Sequence, residues 1–202
     1  MESTEAYINQ AKKMESEGNY LEAIDLYTEV IEMNPWNTQS LFGRGYIKYA
    51  FLDDYIGAIT DFDQVIRIEP YHDLAYLTRA NSKSCLKDNE GSFSDYSQVI
   101  SIYESLDPDK CDEEEFHCWL ALLCRASLKE ESEDYQGAIE DYTFAIKLDP
   151  TSERAFSERG KVKCLLKDFK GAVKDFDQAI ILDNSIKELH DIRKEAIENC
   201  SK

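Results

Sequence analysis

Gly137-Ala-Ile-Glu-Asp-Tyr-Thr-Phe-Ala-Ile-Lys-Leu-Asp-Pro150 is the stretch that decides the reading of this chain, because it recurs with substitutions from one end to the other. Written as small-apolar-x-x-aromatic-x-x-small-apolar, it returns as Ala23-Ile24 with Tyr27 and Val30-Ile31, ending in Pro35. It returns again from Gly57 through Phe62 to Pro70, from Gly91 through Tyr96, and from Gly171 through Phe176 to Asn184. Pro35 to Pro70 is 35 residues, Pro70 to the equivalent Glu104 is 34, and Pro150 to Asn184 is 34. A period of this length, held over five copies, is the signature of a helical repeat array.

The physics of one copy leads to the same place. Ala138, Tyr142, Ala145 and Ile146 fall on one face of a helix, with Asp141 as the polar exception. The small residue admits a neighbouring helix, the aromatic fills the space beside it, and proline ends the helix. Ahead of each copy lies a second helix with its own small residue: Ala11, Gly45, Ala80, Ala126 and Gly160. Short polar turns such as Leu52-Asp53-Asp54-Tyr55 and Lys167-Asp168-Phe169 join the two.

These copies resemble tetratricopeptide (TPR) repeats, each a pair of antiparallel helices. The resemblance rests on the small pairs Ala11/Ala23, Gly45/Ala58, Ala80/Ser92, Ala126/Ala138 and Gly160/Ala172. It rests also on the turn aromatics Tyr20, Tyr55, Tyr135 and Phe169, and on the second-helix aromatics Tyr27, Phe62, Tyr96, Tyr142 and Phe176. It implies an all-α fold, a right-handed α-solenoid of five helix pairs plus a C-terminal capping helix. In such an array the first helix of each pair lines a concave side that receives an extended peptide or a helix.

The predicted organisation is a single array over residues 1–202. Its repeats span about 4–37, 38–72, 73–106, 119–152 and 153–186, and a cap covers 187–202. Ser3 or Thr4 is expected to cap the first helix and Asp73 the fifth. Repeat two holds one residue more than expected between Gly45 and Ala58, placed in the turn near Leu52-Asp53. Between repeats three and four lies an acidic insertion, residues 107–118. Asp112 and Glu115 form a capping box there, so the insertion is expected to extend the first helix of repeat four backwards, over about Glu113 to Glu131. In the tail, Ile186, Leu189, Ile192, Ala196 and Ile197 make one apolar face, read as a cap over the last repeat.

Composition narrows the function. The net charge of −18 argues against nucleic acid as a partner, since phosphate backbones need clustered Lys and Arg. The charge is uneven: residues 1–37 carry −6, residues 107–152 carry −9 and residues 153–202 carry +1. A basic partner would be steered to the acidic regions. No apolar run reaches membrane-spanning length and no secretory leader opens the sequence, so the expected compartment is the cytoplasm. The six cysteines form no CxxC pair and read as reduced thiols; Cys111, His117 and Cys118 lack a fourth ligand and match no zinc spacing, so no metal or cofactor is expected. His72, His117 and His190 sit in different repeats. Asp followed by Tyr or Phe recurs in repeats two to five, which marks a structural position and not a catalytic one.

The expected function is therefore non-enzymatic binding of another protein, as an adaptor or assembly scaffold. A chaperone that shields hydrophobic segments and a regulatory subunit of a catalytic partner are the alternatives. The residues expected in the concave groove are Ile8 and Lys12 in repeat one and Phe42, Tyr46 and Tyr49 in repeat two. Leu74, Leu77 and Asn81 follow in repeat three, Leu123 and Ser127 in repeat four, and Arg154 and Lys161 in repeat five. Adjacent helical turns bring Phe42, Tyr46 and Tyr49 together, either as a binding anchor or as a seam against the next repeat. Asn81 is suited to clamp a peptide backbone. Some TPR co-chaperones hold a chaperone's C-terminal carboxylate with Lys and Asn from successive first helices. Here the matching places carry Ile8 with Lys12, Gly43 or Arg44, and Leu74 with Thr78, which does not reproduce that pattern. Self-association is left open through the long fourth-repeat helix or the cap.

Overall fold

A computed structural model describes residues 3–106 and 112–200, the side chains of 112–114 excepted. Residues Asp107–Cys111 of the acidic insertion, and the Asp112 side of its capping box, lie outside this description. Among the described residues there are eleven helices and no strand. Five pairs follow one another: α1 (Thr4–Ser16) with α2 (Tyr20–Met33), α3 (Thr38–Phe51) with α4 (Tyr55–Ile68), α5 (Asp73–Cys85) with α6 (Asn89–Glu104), α7 (Asp112–Glu131) with α8 (Tyr135–Leu148), and α9 (Glu153–Leu165) with α10 (Phe169–Leu182). A last helix, α11, spans Lys187–Cys200. The chain divides into two compact units, Met1–Ile102 and Tyr103–Lys202.

The small residues are what let each pair close. Ala11, Ala23, Ala58, Ala80, Ala126, Ala138 and Ala172 are fully buried. At Gly45 an added Cβ would stand 3.0 Å from the Phe62 ring, and at Gly160 one would stand 2.7 Å from the Phe176 ring. The aromatic of the second helix is thus seated on the bare backbone of the first. Within the first unit, successive pairs share side chains. Ile47 of α3 packs with Ala11, Ala23 and Tyr27 of the preceding pair, and Leu41, Val65 and Ala75 join α3, α4 and α5. Burial is therefore continuous from pair to pair within that unit.

The turn inside each pair has one design. Gly18, Asp53, Lys87, Glu133 and Lys167 all take a left-handed backbone, with φ between 53° and 79°. In four of the five the next residue caps the second helix: the carboxylates of Asp54, Asp88, Asp134 and Asp168 accept from the backbone N–H groups of Gly57, Gly91, Gly137 and Gly171 at 2.9–3.0 Å, whereas Asn19 makes no side-chain cap bond. A side chain at any of those glycines would collide with the cap, its Cβ falling 2.1–2.2 Å from a carboxylate oxygen. The extra residue of repeat two sits in this turn. Asp54 N–H reaches the Lys48 carbonyl six residues back at 3.0 Å, where Asp88, Asp134 and Asp168 reach back five, to Lys83, Lys129 and Lys163.

Two local readings are settled at helix starts. Ser3 caps α1, its hydroxyl accepting from Ala6 N–H at 3.3 Å. The cap of α5 is His72 and not Asp73: the His72 Nδ1 lone pair reaches Ala75 N–H at 3.2 Å, while the Asp73 carboxylate turns to Leu74 N–H at 2.7 Å. A pattern search for Asp or Ser overlooks an unprotonated imidazole, which offers the same acceptor.

In the second unit, α7 is 20 residues long against 13 for α9. Leu189 and Ala196 of α11 are buried with Ala172, Phe176 and Ala179 of α10, and Ile186 and Ile192 pack beside them. Ile197 stays 40% exposed. Lys194 of α11 stands 34 residues after Gly160, so α11 carries a lysine where α9 carries the bare seat for a ring.

Candidate interaction surface

Four repeats carry a buried charged triad that the sequence shows only in part. Arg44, Arg79, Arg125 and Arg159 each grip both oxygens of a carboxylate on the second helix of the same pair. The acceptors are Asp61, Asp95, Asp141 and Asp175, at 2.6–3.1 Å. Lys48, Lys83, Lys129 and Lys163, one helical turn on, complete the same four sites at 2.7–3.0 Å. The aspartates are 1–4% exposed, so each charge depends on its partners. The third arm of the arginine crosses to the preceding pair: Arg44 to Thr28 at 3.1 Å, Arg79 to Asp63 at 2.6 Å and Arg159 to Thr143 at 3.0 Å. Arg193 of α11 makes the equivalent contact with Asp177. The recurrent Asp is thus a structural position. Repeat one carries Gln10, Met14 and Leu26 at the three places, and Met14 and Leu26 pack into the Ala11, Ala23, Tyr27, Ile47 cluster.

With those cations committed, what α3 offers is mainly aromatic. On α3, Phe42 and Tyr46 stack with centroids 6.2 Å apart, and Tyr46 and Tyr49 stand 6.5 Å apart. Phe51 joins them, 6.3 Å from Tyr46 and stacked at 4.0 Å on Tyr20 of α2; Tyr55 of α4 lies 6.3 Å from Tyr49. Phe42 is half-buried, held by Phe62 at 5.5 Å and by the His72 ring at 5.3 Å. Tyr46 and Phe51 are 37% and 46% exposed. The structure brings the three expected aromatics together and adds Tyr20, Phe51 and Tyr55, which single-helix spacing does not reveal because they arrive from α2, the end of α3 and α4.

Other expected residues are placed differently. Ile8, Leu77 and Leu123 are 7%, 2% and 1% exposed and belong to the core, where apolar side chains are withdrawn from water; they present no anchor. Leu74 is half-buried and Lys12 is exposed. Asn81 is half-buried, and its carbonyl oxygen accepts from the Tyr96 hydroxyl at 2.7 Å, so that end of the amide is spent inside its own repeat.

In the second unit, Ser127 and Arg154 are exposed and Lys161 pairs with Glu158 at 3.1 Å. Beside them, the Tyr142 hydroxyl donates to Glu130 at 2.5 Å. Burial and this acidic neighbour raise the Tyr142 pKa, and burial raises that of Glu130, with Glu158 adding to it while the Tyr142 hydrogen bond and Lys161 oppose it. The first unit repeats the device: burial and Glu15, which accepts from the Tyr27 hydroxyl at 3.3 Å, push the Tyr27 pKa up to about 12. Among the described residues no group of three or more His, Cys, Asp or Glu is arranged to hold a metal ion, and no helix is long and apolar enough to cross a membrane.

No protein-family model matches the chain. Among curated proteins it is 27% identical over 162 residues to the tetratricopeptide repeat and J domain-containing co-chaperone DNJ1 of Cryptococcus neoformans; the match takes in 78% of this chain and 29% of that protein. Among solved structures, MamA superposes with a TM-score of 0.75 at 18% identity, covering 90% of this chain and 92% of MamA. YrrB, described as a TPR protein with an unusual peptide-binding site, superposes at 0.71 and 16% identity, covering 93% and 90%. The recurring helix pairs, the small-residue seats beneath the second-helix aromatics and these likenesses together show that the chain has the fold of tetratricopeptide-repeat proteins.

Proposed function

We propose that this protein is a non-catalytic, cytoplasmic adaptor or assembly scaffold that holds an extended or helical segment of a partner protein along its first-helix faces. The observation that carries the reading is the aromatic face of α3, where Tyr46 and Phe51 stay 37% and 46% exposed although a helix pair needs neither for closure. The expected groove residues would lie along such a segment in each unit taken by itself, Lys12, Leu74 and Asn81 in the first and Ser127, Arg154 and Lys161 in the second. Protein binding is also supported by the co-chaperone relative and by the peptide-binding site named for YrrB. A reducing compartment is supported by the free thiols of Cys85, Cys118, Cys164 and Cys200. The co-chaperone relative favours one second reading, a chaperone that shields hydrophobic clients.

The test places a photo-crosslinking amino acid at Tyr46 and compares capture by wild type with capture by a Tyr46→Ala, Phe51→Ala variant of unchanged helicity. One saturable partner, crosslinked at Tyr46 and lost in the variant, establishes the adaptor. Many weakly held clients would favour the chaperone. Equal capture by both proteins removes the aromatic face from the binding site.

A further inference from the structure

We propose that the turn between α2 and α3, with the adjoining end of α4, is a second docking surface, separate from the α3 face, that takes an extended segment in which proline is followed by an acidic residue. The argument begins with an internal comparison. The turn recurs after α4 and α8. Asn37 N–H closes on the Asn34 carbonyl at 3.1 Å, His72 N–H on Glu69 at 3.1 Å and Ser152 N–H on Asp149 at 3.2 Å. A side-chain oxygen at the head of the turn holds the projecting residue's N–H in two cases, Asn34 for Trp36 at 3.2 Å and Asp149 for Thr151 at 2.9 Å. The projecting residue is Thr151 in one copy, so the turn itself needs no aromatic. Yet in the first unit it is Trp36, 69% exposed, and in the next copy Tyr71, 78% exposed. Leaving rings of this size in water yields nothing to the fold, and hydrogen-bonded turns hold them there.

The surroundings of Trp36 select the ligand. Pro35, Trp36, Gln64, Arg67 and Ile68 line a depression of about 190 Å³, room for one compact side chain and not for a drug-sized molecule. A proline ring stacked on an indole is the usual fit of polyproline segments to aromatic-lined grooves, and their preformed conformation lowers the entropy cost of binding. Charge at the site sets the neighbour. Residues 1–102 hold 8 basic and 17 acidic side chains, a net of −9, which opposes an acidic ligand everywhere except beside an uncommitted cation. Four of the eight, Arg44, Lys48, Arg79 and Lys83, are locked on Asp61 and Asp95. Arg67 is exposed and makes no ion pair among the described residues, so its guanidinium is available to a carboxylate one step along the segment.

The test is nitrogen-15 NMR of the full chain, with the Trp36 indole signal assigned by its loss in Trp36→Phe. The probes are the blocked peptide acetyl-Pro-Pro-Glu-Pro-Pro-Glu-Pro-amide, the same peptide with Lys for Glu, and vesicles of phosphatidylcholine with phosphatidylserine. The Glu peptide is expected to move the Trp36 indole signal at submillimolar concentration, with Arg67→Glu weakening it about ten-fold or more. A Tyr46→Ala, Phe51→Ala variant is expected to respond as wild type, which separates this surface from the α3 face. No shift of Trp36 with the Glu peptide overturns the proposal, as does an equal response to the Lys peptide. A response to vesicles alone would make Trp36 and Tyr71 a membrane contact and overturn it too.

Discussion

Arg159 grips both oxygens of Asp175, from Nε at 2.9 Å and Nη2 at 2.7 Å, while the aspartate stays 4% exposed. Lys163 adds a third bond at 2.7 Å. Replacing the carboxylate leaves two cations facing each other, so Asp175→Asn is expected to cost about 2 to 3 kcal/mol. That lies below the 3–5 kcal/mol of a fully buried pair, because Arg159 and Lys163 keep 14% and 18% side-chain exposure. Replacing the whole triad by the residues of repeat one, Arg159→Gln with Lys163→Met and Asp175→Leu, is expected to fall within about 1 kcal/mol of wild type. Urea denaturation measures both. A triple variant as damaged as the single one would show that the charges themselves are indispensable.

Gly160→Ala tests the seat of the ring. Its Cβ would lie 2.7 Å from the Phe176 ring, which is fully buried and cannot step aside. A loss of about 1–3 kcal/mol is expected, and Phe176→Leu added to it should recover part of that loss. The two changes would then be non-additive in thermal melts. Simple additivity would mean that the α9–α10 contact is looser than described.

Thiol chemistry should sort the cysteines by environment. Cys118 is fully buried, and burial, with the Glu104 carboxylate, pushes its pKa up to about 12. Cys85 and Cys200 are exposed. Alkylation with iodoacetamide near neutral pH, read by mass spectrometry, is expected to modify Cys85 and Cys200 and to reach Cys118 only on unfolding.

The same shift has a pH consequence. In the folded protein Cys118 and Tyr27 hold protons that the unfolded chain releases at about pH 9 and 10. Their contribution to stability is complete below those values and is lost as pH rises towards about 12. Unfolding free energy should therefore decline between pH 9 and 12, with a shallower slope in Cys118→Ala and in Tyr27→Phe. An unchanged slope in both would place the titrating groups elsewhere.

His72→Ala removes the cap of α5 and is expected to cost about 1 kcal/mol, while His72→Asn, which keeps an acceptor, should cost only a few tenths. Equal losses would assign the effect to the Phe42 stack instead.

Much of this architecture is legible in the chain because it repeats. A helix pair needs a small residue opposite an aromatic, and that demand recurs every 34 or 35 residues except across the insertion between repeats three and four, so the pairs of Ala11 with Tyr27 and of Gly160 with Phe176 can be found by spacing. The charged triad is legible only in hindsight. Arg44, Arg79, Arg125 and Arg159 each precede a small residue by one, the lysines follow four residues later, and repeat one lacks both together with the Asp. That co-occurrence is a signal, but period alone does not say that three charges on two helices meet.

By itself the sequence determined the helix pairs and the small residues on which each pair closes, because periodicity and small residues constrain one helix against its neighbour. The tertiary structure alone decided which inward-reading residues meet solvent. Of the residues read as inward, Ile8, Leu77 and Leu123 are spent on the core and Tyr46 is not, while Phe51 and Trp36, outside that reading, are exposed as well. The reason is geometric: exposure depends on how the next pair packs and where a turn aims its residue, and neither is contained in the period of one helix.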